Sequence, residues 1–278
     1  MGLPDFIIIG AQRSGTTWLY NILKSHKQVV LAEGRKEVHY FDRYYDRGEN
    51  WYKELFPDKP SVKKGEISPA YLYQKECPSR IKKDFPEVKL ICLLRNPIDR
   101  AYSGYKYMIQ EKGLSISFEE AIQEFPDILE RGLYFQQLKR YFEYFEKEQL
   151  GIYKFDDLIK NPDKLINSIC DFLEINYEYD KNILNVQFNK SRIPSSPLLY
   201  KNVKKIIRKL YDYDKVNIIH WLKQKNIKDK FFKQVNSDNQ KKGGISEDLI
   251  KELKEYYRID INKLSDMLGI DFNALWKI

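Results

Sequence analysis

Residues Phe6–Trp18 read FIIIGAQRSGTTW and determine the fold that this sequence predicts. Phe6–Ile9 is a short, solid apolar run rich in β-branched side chains, which is typical of a buried parallel strand. From Gly15 onward, apolar residues recur at helical spacing. A strand, a glycine loop and a helix in this order are the context that a phosphate-binding loop requires.

The loop after the first strand has the glycine spacing of a phosphate-binding loop but lacks its lysine. Gly10 and Gly15 match the pattern G-x-x-x-x-G-K-[ST], yet Gly15 is followed by two threonines, Thr16 and Thr17. The cation of this loop is Arg13, which lies between the glycines. Backbone N–H groups, the helix N-terminus and the threonine hydroxyls could still hold a phosphate. The alternative is a tight turn that needs glycine only for its geometry.

Four more strands are predicted along the chain from short apolar runs. They are Gln28–Leu31, Val62–Glu66, Val88–Leu94 and Gly151–Phe155. Ile245–Leu268 has helical spacing and is predicted as a closing helix packed on the sheet. Strands that alternate with helices are typical of a parallel sheet with crossover helices. We therefore predict one α/β domain over residues 1–278, P-loop-like, with a mostly parallel sheet of about five strands flanked by helices.

A second candidate anion site lies in Leu93–Tyr105, which reads LLRNPIDRAYSGY. Arg95 comes at the end of a predicted strand, where open α/β sheets bind their ligands. Ser103 lies in the helix that is predicted to begin at Pro97. A fork-shaped guanidinium and a hydroxyl that converge there could bind a second phosphate. Arginine residues after strands are common, so this stretch alone is a weak signal.

The charge of the chain favours anionic ligands without identifying one. The net charge is +8, and hydrophobic residues make up 42% of 278 residues, enough for a sizeable core. The basic and acidic residues are interspersed, which is typical of a mixed solvated surface, and we predict no nucleic-acid partner.

The cysteines and the apolar segments argue against an extracellular or membrane-embedded protein. The three cysteines, Cys77, Cys92 and Cys170, lie far apart and form no C-x-x-C pair, so no disulfide framework or zinc site is predicted. The first residues lack the pattern of a signal peptide, and no apolar run has the length of a membrane span. We predict a cytoplasmic protein without stable membrane insertion.

The two anion-binding stretches together resemble the 5′-phosphosulfate loop and the 3′-phosphate motif of the sulfotransferases that use 3′-phosphoadenosine-5′-phosphosulfate (PAPS). Gly34–Asp42, GRKEVHYFD, resembles the segment that carries the catalytic glutamate in the heparan-sulfate-type branch, which modifies glycans and has bacterial relatives. The stretches that begin at Glu130 (ERGLYFQQLKRYFEYF) and Lys241 (KKGGISEDLIK) resemble the central and C-terminal portions of that family. The resemblance therefore covers nearly the full length, in order.

The resemblance implies transfer of a sulfuryl group from PAPS to a hydroxyl, less often an amine, by in-line displacement. The products are the sulfated acceptor and 3′-phosphoadenosine 5′-phosphate (PAP), and no metal takes part. It assigns Glu37 as the general base, Arg13 to the sulfate and its bridging oxygen, and His39 to orienting Glu37 or binding the acceptor. The implied donor-binding residues are Arg13, Ser14, Gly15, Thr16 and Thr17 at the 5′-phosphate, Arg95 and Ser103 at the 3′-phosphate, and Lys242 and Gly243 in a closing loop.

The resemblance also explains the absent lysine, because PAPS has no β- or γ-phosphate for that lysine to bind. The residues alone leave other interpretations of the base segment open. Glu37 could be a surface carboxylate paired with Lys36 or Arg35, and His39 could be a partly buried, hydrogen-bonded histidine. If the segment is extended, the side chains of Glu37 and His39 face the same way.

The acceptor is predicted to be a saccharide or glycoconjugate. Tyr40–Phe56, YFDRYYDRGENWYKELF, combines aromatic rings that could stack on sugars with arginines that could bind acidic groups. Such rings equally line the edges of cores, and a lipid, a small alcohol or an amine stays open as acceptor. Ile67 in GEISPAY occupies the place where the 3-O-sulfating enzymes of the family carry a lysine, so the acceptor can differ from theirs.

Two other functions stay open at this stage. A P-loop kinase would carry lysine directly after the second glycine and an acidic, magnesium-holding residue at a strand end, where this chain has Thr16 and Arg95. A non-catalytic basic module that binds nucleic acid or acidic glycan would show steep salt dependence and would have no need for Glu37.

Overall fold

The computed structural model describes residues 3–183, 192–194, 197–213, 215, 218, 232–234 and 245–278. A five-stranded sheet organises this part of the chain. Its strands are β1 (Phe6–Gly10), β2 (Val29–Leu31), β3 (Lys63–Ile67), β4 (Lys89–Leu94) and β5 (Leu150–Lys154). The order is β2-β3-β1-β4-β5, and all neighbouring pairs are parallel. The predicted α/β fold is confirmed, and each predicted strand overlaps an observed one.

Helices lie between these strands and after the last of them. The first seven are α1 (Thr16–Ser25), α2 (Tyr40–Arg43), α3 (Gly48–Lys53), α4 (Cys77–Asp84), α5 (Pro97–Lys112), α6 (Phe118–Glu124) and α7 (Asp127–Glu130). The others are α8 (Tyr134–Phe142), α9 (Phe155–Lys160), α10 (Pro162–Leu173), α11 (Pro197–Asp212), α12 (Glu247–Leu268) and α13 (Phe272–Trp276). A small antiparallel pair, β6 (Arg192–Pro194) with β7 (Phe232–Gln234), lies outside the main sheet.

The solid apolar run of β1 is explained by burial on both faces. Phe6 and Ile8 pack into a core shared with α1 and α10, whereas Ile7 and Ile9 pack into a larger core that includes α8 and α12. Alternate side chains of a strand point to opposite faces, so a strand covered on both sides must be apolar throughout. The predicted helix over Ile245–Leu268 is confirmed as α12, and its packing partners are the helices α8, α13 and α5.

Among the described helices, none is both long enough and apolar enough to cross a bilayer. The predicted cytoplasmic location and the predicted single domain stay predictions. Lys242 and Gly243 lie outside the described residues, so their assignment to a closing loop stays a prediction as well.

The β1–β3 pair leads to a first prediction, because Gly65 of β3 lies directly opposite Phe6. A Cβ at Gly65 would come within 2.3 Å of the Phe6 ring, which is fully buried. We expect Gly65→Ala to lower the free energy of unfolding by about 1–3 kcal/mol through overpacking. At Gly104 in α5 the nearest atom to a Cβ is 3.7 Å away, so Gly104→Ala should be neutral or stabilising. Urea unfolding of both variants measures this, and equal stabilities would contradict it.

Candidate functional site

The candidate site lies at the carboxyl edge of the sheet, where β1 and β4 end and two helices begin. α1 starts after the glycine loop, and α5 starts at Pro97. The side-chain oxygen of Asn96 caps α5 by accepting hydrogen bonds from the backbone N–H groups of Ile98 and Asp99. Both helices therefore direct their N-terminal ends, and the positive potential of those ends, to one edge of the sheet.

The turn from β1 into α1 requires glycine at position 15. Gly15 has a φ of +87°, and a Cβ there would lie 2.7 Å from the Leu158 side chain and 3.2 Å from the Phe155 ring. Within the loop Ser14 and Thr16 are buried. The turn therefore requires glycine for its geometry, and whether the loop also binds a phosphate stays a prediction.

Arg13 connects the two predicted anion sites. Its Nε donates a hydrogen bond to Ser103 Oγ at 3.2 Å, and its guanidinium lies 4.8 Å from the centre of the Tyr107 ring. Burial lowers the pKa of Arg13, as do the nearby Arg95 and Arg100, whereas Tyr107 and Glu37 act in the opposite direction. In this structure the arginine contacts α5 through Nε, which leaves the N–H groups of Nη1 and Nη2 as the donors for an anion.

Arg95 supports the same loop from the end of β4. Its Nη1 donates to the carbonyl oxygen of Arg13 at 3.0 Å, and its guanidinium lies 4.7 Å from the centre of the Phe155 ring. The Tyr134 hydroxyl donates to the carbonyl oxygen of Arg95 at 2.9 Å and holds this backbone in place. The Nε of Arg95 is buried and finds no hydrogen-bond acceptor in the described part of the chain. A buried N–H donor of this kind suits an anion.

Glu37, His39 and Asp42 form a hydrogen-bonded chain. His39 Nε2 lies 3.4 Å from Glu37 Oε2, and His39 Nδ1 lies 3.0 Å from Asp42 Oδ2. The segment is not a regular strand, because His39 has a φ of +59° at the start of α2. The side chains of Glu37 and His39 lie together, although the extended backbone on which that expectation depended is absent. Asp42 was missed at the sequence level, although its place three residues after His39 was the available signal.

The charges of Glu37, His39 and Asp42 stabilise one another. Burial works against the imidazolium of His39, yet hydrogen bonds to Asp42 and Glu37 raise its pKa from 6.5 to about 9. Burial also works against ionisation of Glu37, but the hydrogen bond to His39 and the charge of Lys36 lower its pKa overall. At neutral pH His39 is therefore an imidazolium and Glu37 a carboxylate.

Lys36 joins the Glu37 segment to the phosphate loop. Its Nζ donates to Thr17 Oγ1 at 2.7 Å and lies 4.0 Å from Glu37 Oε1. Burial lowers the pKa of Lys36, and Glu37 opposes that effect. The sequence interpretation treated Lys36 only as a surface partner of Glu37. The structure makes it a cation shared by the loop and the carboxylate, which no local pattern indicated.

The aromatic stretch of residues 40–56 is largely structural. Tyr40, Phe41, Tyr52 and Phe56 are almost fully buried, and Tyr40 stacks on Tyr52 with ring centres 4.5 Å apart. For these rings the alternative interpretation, a core edge, is correct. Ile67 is likewise fully buried, in the core beside α1, so its side chain supplies nothing to the site.

Arg35 contacts α11. The alternative interpretation of the sequence had paired it with Glu37. Its guanidinium lies 4.9 Å from the centre of the Tyr211 ring in α11, and also faces Tyr44 and Trp51. Its Nη2 donates to the carbonyl oxygen of Tyr211 at 3.2 Å. Arg35 therefore anchors α11 against the segment that follows Glu37.

Comparisons with known proteins agree with this architecture. Residues 3–268 match the family model described as "Sulfotransferase domain". The chain is 36% identical to the membrane-associated sulfotransferase kil1 of Dictyostelium discoideum, over 46% of this chain and 29% of that protein. It is 31% identical to the human bifunctional heparan sulfate N-deacetylase/N-sulfotransferase 3, over 64% of this chain and 23% of that protein. It is 32% identical to the mouse heparan sulfate glucosamine 3-O-sulfotransferase 3B1, over 62% of this chain and 46% of that protein.

A solved structure shows the same fold over the whole chain. The crystal structure of a sulfotransferase from Alicyclobacillus acidocaldarius superposes with a TM-score of 0.71 at 21% identity, and 100% of each chain is covered. The curated relatives are longer proteins, and this chain spans less than half the length of each.

The chain belongs to the sulfotransferase domain family. The predicted family is thereby confirmed, and the relatives named as sulfotransferases support the predicted class of PAPS-dependent enzymes. The roles of the individual site residues stay predictions.

The raised pKa of His39 leads to a prediction about stability. The pKa of His39 in the folded protein is about 9, above the ordinary value of 6.5. The charged imidazolium therefore stabilises the fold fully below pH 6.5, and this contribution is lost as the pH rises through 9. We expect the unfolding free energy to fall by about 1–3 kcal/mol more in the parent than in Asp42→Asn between pH 6 and pH 9.5. Urea unfolding at the two pH values measures this. Equal pH dependence of the two proteins would show that Asp42 does not sustain the charge on His39.

Proposed function

We propose that the chain transfers a sulfuryl group from PAPS to a hydroxyl, less readily an amine, of a saccharide or glycoconjugate, and that it releases PAP. The observation that carries this proposal is the contact of Lys36 with both Thr17 and Glu37. Through these contacts the Glu37 carboxylate lies beside a loop that is suited to a phosphosulfate. Glu37 is also near enough to Arg13 to raise the pKa of its guanidinium. A proton acceptor and two cations thus share one site.

The donor would be held by the loop and by β4. The backbone N–H groups at the start of α1, with Thr16 and Thr17, suit the 5′-phosphate. Arg95 and Ser103 suit the 3′-phosphate, since the buried Nε of Arg95 has no acceptor of its own among the described residues. Lys242 is proposed as a further contact to that phosphate. Two anion sites joined by one loop fit a nucleotide with phosphates at two positions.

The reaction would proceed in line at sulfur. The acceptor oxygen forms a bond to sulfur while the bond between sulfur and the bridging oxygen of the donor breaks. Glu37 is ionised at neutral pH and takes the acceptor proton. Arg13 and Lys36 offset the negative charge that develops on the leaving phosphate. His39, held by Asp42, fixes the direction of the Glu37 carboxylate.

A glycan acceptor is supported by the relatives and by local charge. Two of the similar proteins are named for heparan sulfate, an acidic glycan. Arg43 is exposed at the end of α2, and its charge acts on both Glu37 and His39. A cation in this position suits an acceptor that carries an acidic group near the reacting hydroxyl.

Binding of PAP without magnesium tests the donor site. We expect calorimetry to show binding by the parent, about 10- to 100-fold weaker binding by Arg95→Ala, and parental binding by Glu37→Gln. Arg258→Ala is a matched control, because Arg258 is exposed on α12 and pairs with Glu255. Binding of ATP with magnesium in the absence of PAP binding would favour a kinase instead.

Turnover tests the base and the acceptor. PAPS is incubated with N-acetylated and de-N-acetylated heparan-type oligosaccharides, a neutral oligosaccharide and a simple phenol, and products are followed by mass spectrometry. We expect sulfation of a saccharide, with kcat lowered about 100- to 10,000-fold in Glu37→Gln and the affinity for PAP preserved. Glu37→Gln with parental kcat would remove Glu37 from the role of base. Exclusive sulfation of the phenol would reject the saccharide acceptor.

A further inference from the structure

A buried carboxylate lies directly behind the Glu37 segment. Glu66, in β3, is 1% exposed and accepts hydrogen bonds from three hydroxyl groups. Tyr52 and Tyr71 each donate to Oε1 at 2.9 Å, and Ser68 donates to Oε2 at 2.6 Å. Within the described residues Glu66 forms no ion pair with a lysine or arginine. The role of Glu66 therefore depends on the other groups that these three hydroxyls contact.

Two of these hydroxyls hold the backbone of the Glu37 segment. Ser68 Oγ accepts from the backbone N–H of Val38 at 3.0 Å and from that of His39 at 3.2 Å. The Tyr71 hydroxyl accepts from the backbone N–H of Phe41 at 3.4 Å. These N–H groups belong to the two residues before α2 and to its first turn, and the N-cap residue of α2 makes no side-chain cap hydrogen bond.

The donors and acceptors of this cluster fix the direction of two hydroxyl groups. A backbone N–H can only donate, so Ser68 uses both of its lone pairs on Val38 and His39 and must give its proton to Glu66. The same reasoning makes Tyr71 a donor to Glu66. A carboxylate accepts from both hydroxyls, whereas an amide at position 66 would direct an N–H group at Ser68 or at Tyr71. Burial raises the pKa of Glu66, and the hydrogen bonds from the three hydroxyl groups oppose that effect, so the cluster depends on Glu66 as an acceptor.

The backbone that these hydroxyls hold includes His39, whose conformation places its ring in the site. His39 has a φ of +59°, which is uncommon outside glycine, although histidine adopts it more often than most residues do. In this conformation its ring lies between Glu37 and Asp42. The charge of Glu66 also acts on His39 across the cluster. The hydrogen bonds that Ser68 Oγ accepts from Val38 and His39 thus hold the backbone at this residue.

We propose that Glu66, acting through Ser68 and Tyr71, is a positioning residue that fixes the Val38–Phe41 backbone so that Glu37 and His39 face the phosphate loop. This inference rests on the proposed function for its effect on turnover. Its effect on the geometry of His39 is independent of any reaction.

The first test compares Ser68→Ala with Tyr52→Phe. Each variant removes one buried hydroxyl from Glu66, but only Ser68 also contacts the backbone before α2. We expect Ser68→Ala to lower kcat at least about 10-fold with the affinity for PAP changed less than about two-fold, while Tyr52→Phe keeps kcat within about three-fold. Ser68→Thr retains the hydroxyl and is expected to recover most of the lost kcat.

Two fully buried tyrosines provide a second, closely matched pair. Tyr52 and Tyr71 donate to the same oxygen of Glu66 at the same distance, and only Tyr71 reaches the Phe41 N–H. Tyr71→Phe is expected to lower kcat more than Tyr52→Phe does. This pair also decides the question if Ser68→Ala fails to fold. Equal losses of kcat in the two variants would reduce the cluster to a purely structural role and overturn the proposal.

The second measurement needs no acceptor. The imidazole of His39 is titrated by NMR, with its signals assigned by their loss in His39→Asn. Glu37, Asp42, Arg43 and Glu66 are the charged groups that act on this ring. We expect the His39 pKa to fall in Ser68→Ala and in Glu66→Gln and to stay at the parental value in Tyr52→Phe.

The outcomes separate this inference from the proposed function. Parental kcat and parental His39 titration in Ser68→Ala would overturn the positioning role while leaving sulfuryl transfer by the parent intact. A parent that sulfates none of the acceptors would refute the proposed function, and the titration would still show whether Glu66 positions His39.

Discussion

The parallel pairing of β1 with both β3 and β4 is the constraint on which the site depends. Ile8 is in register with Ile67 on one side and with Ile91 on the other. Parallel strands end at the same edge of a sheet, so the chain after each of the three strands emerges at one place. The phosphate loop follows β1, Ser68 follows β3, and Arg95 follows β4. Antiparallel pairing of either neighbour would send one of these groups to the opposite edge.

The charges at this edge are arranged in two groups that share Lys36. Arg13 and Arg95 are half-buried beside the loop, and burial lowers the pKa of each, which reflects the unfavourable cost of holding cations out of water. An anion between them relieves that cost. On the other side, the carboxylates of Glu37 and Asp42 enclose the imidazolium of His39. Lys36 contacts the loop and lies beside the carboxylate, so the basic and the acidic groups form one site.

The sequence predicted the strands and helices well because the pattern of apolar residues within each segment shows which of its faces are buried. β1 and β4 are solid apolar runs, and their observed bounds differ from the predicted ones by one residue. The loop was recognisable from Gly10 and Gly15, and the resemblance of GRKEVHYFD to a known segment selected Glu37 among many surface carboxylates. The aromatic stretch after it was ambiguous, because a ring that stacks on a sugar and a ring that fills a core have the same composition. Only packing showed that Tyr40 and Tyr52 are core residues.

By itself, the sequence determined the order of strands and helices, the position of the phosphate loop and the family to which the chain belongs. The tertiary structure alone decided that Arg13 meets Ser103, 90 residues away, and that Lys36 meets Thr17, 19 residues away. It also placed the buried Glu66 behind the segment of Glu37. The spacing of apolar residues within a segment indicates which of its faces are buried, so strands and helices can be predicted from one segment at a time. A contact between polar side chains depends on how separate segments pack, and no single stretch of sequence carries that information.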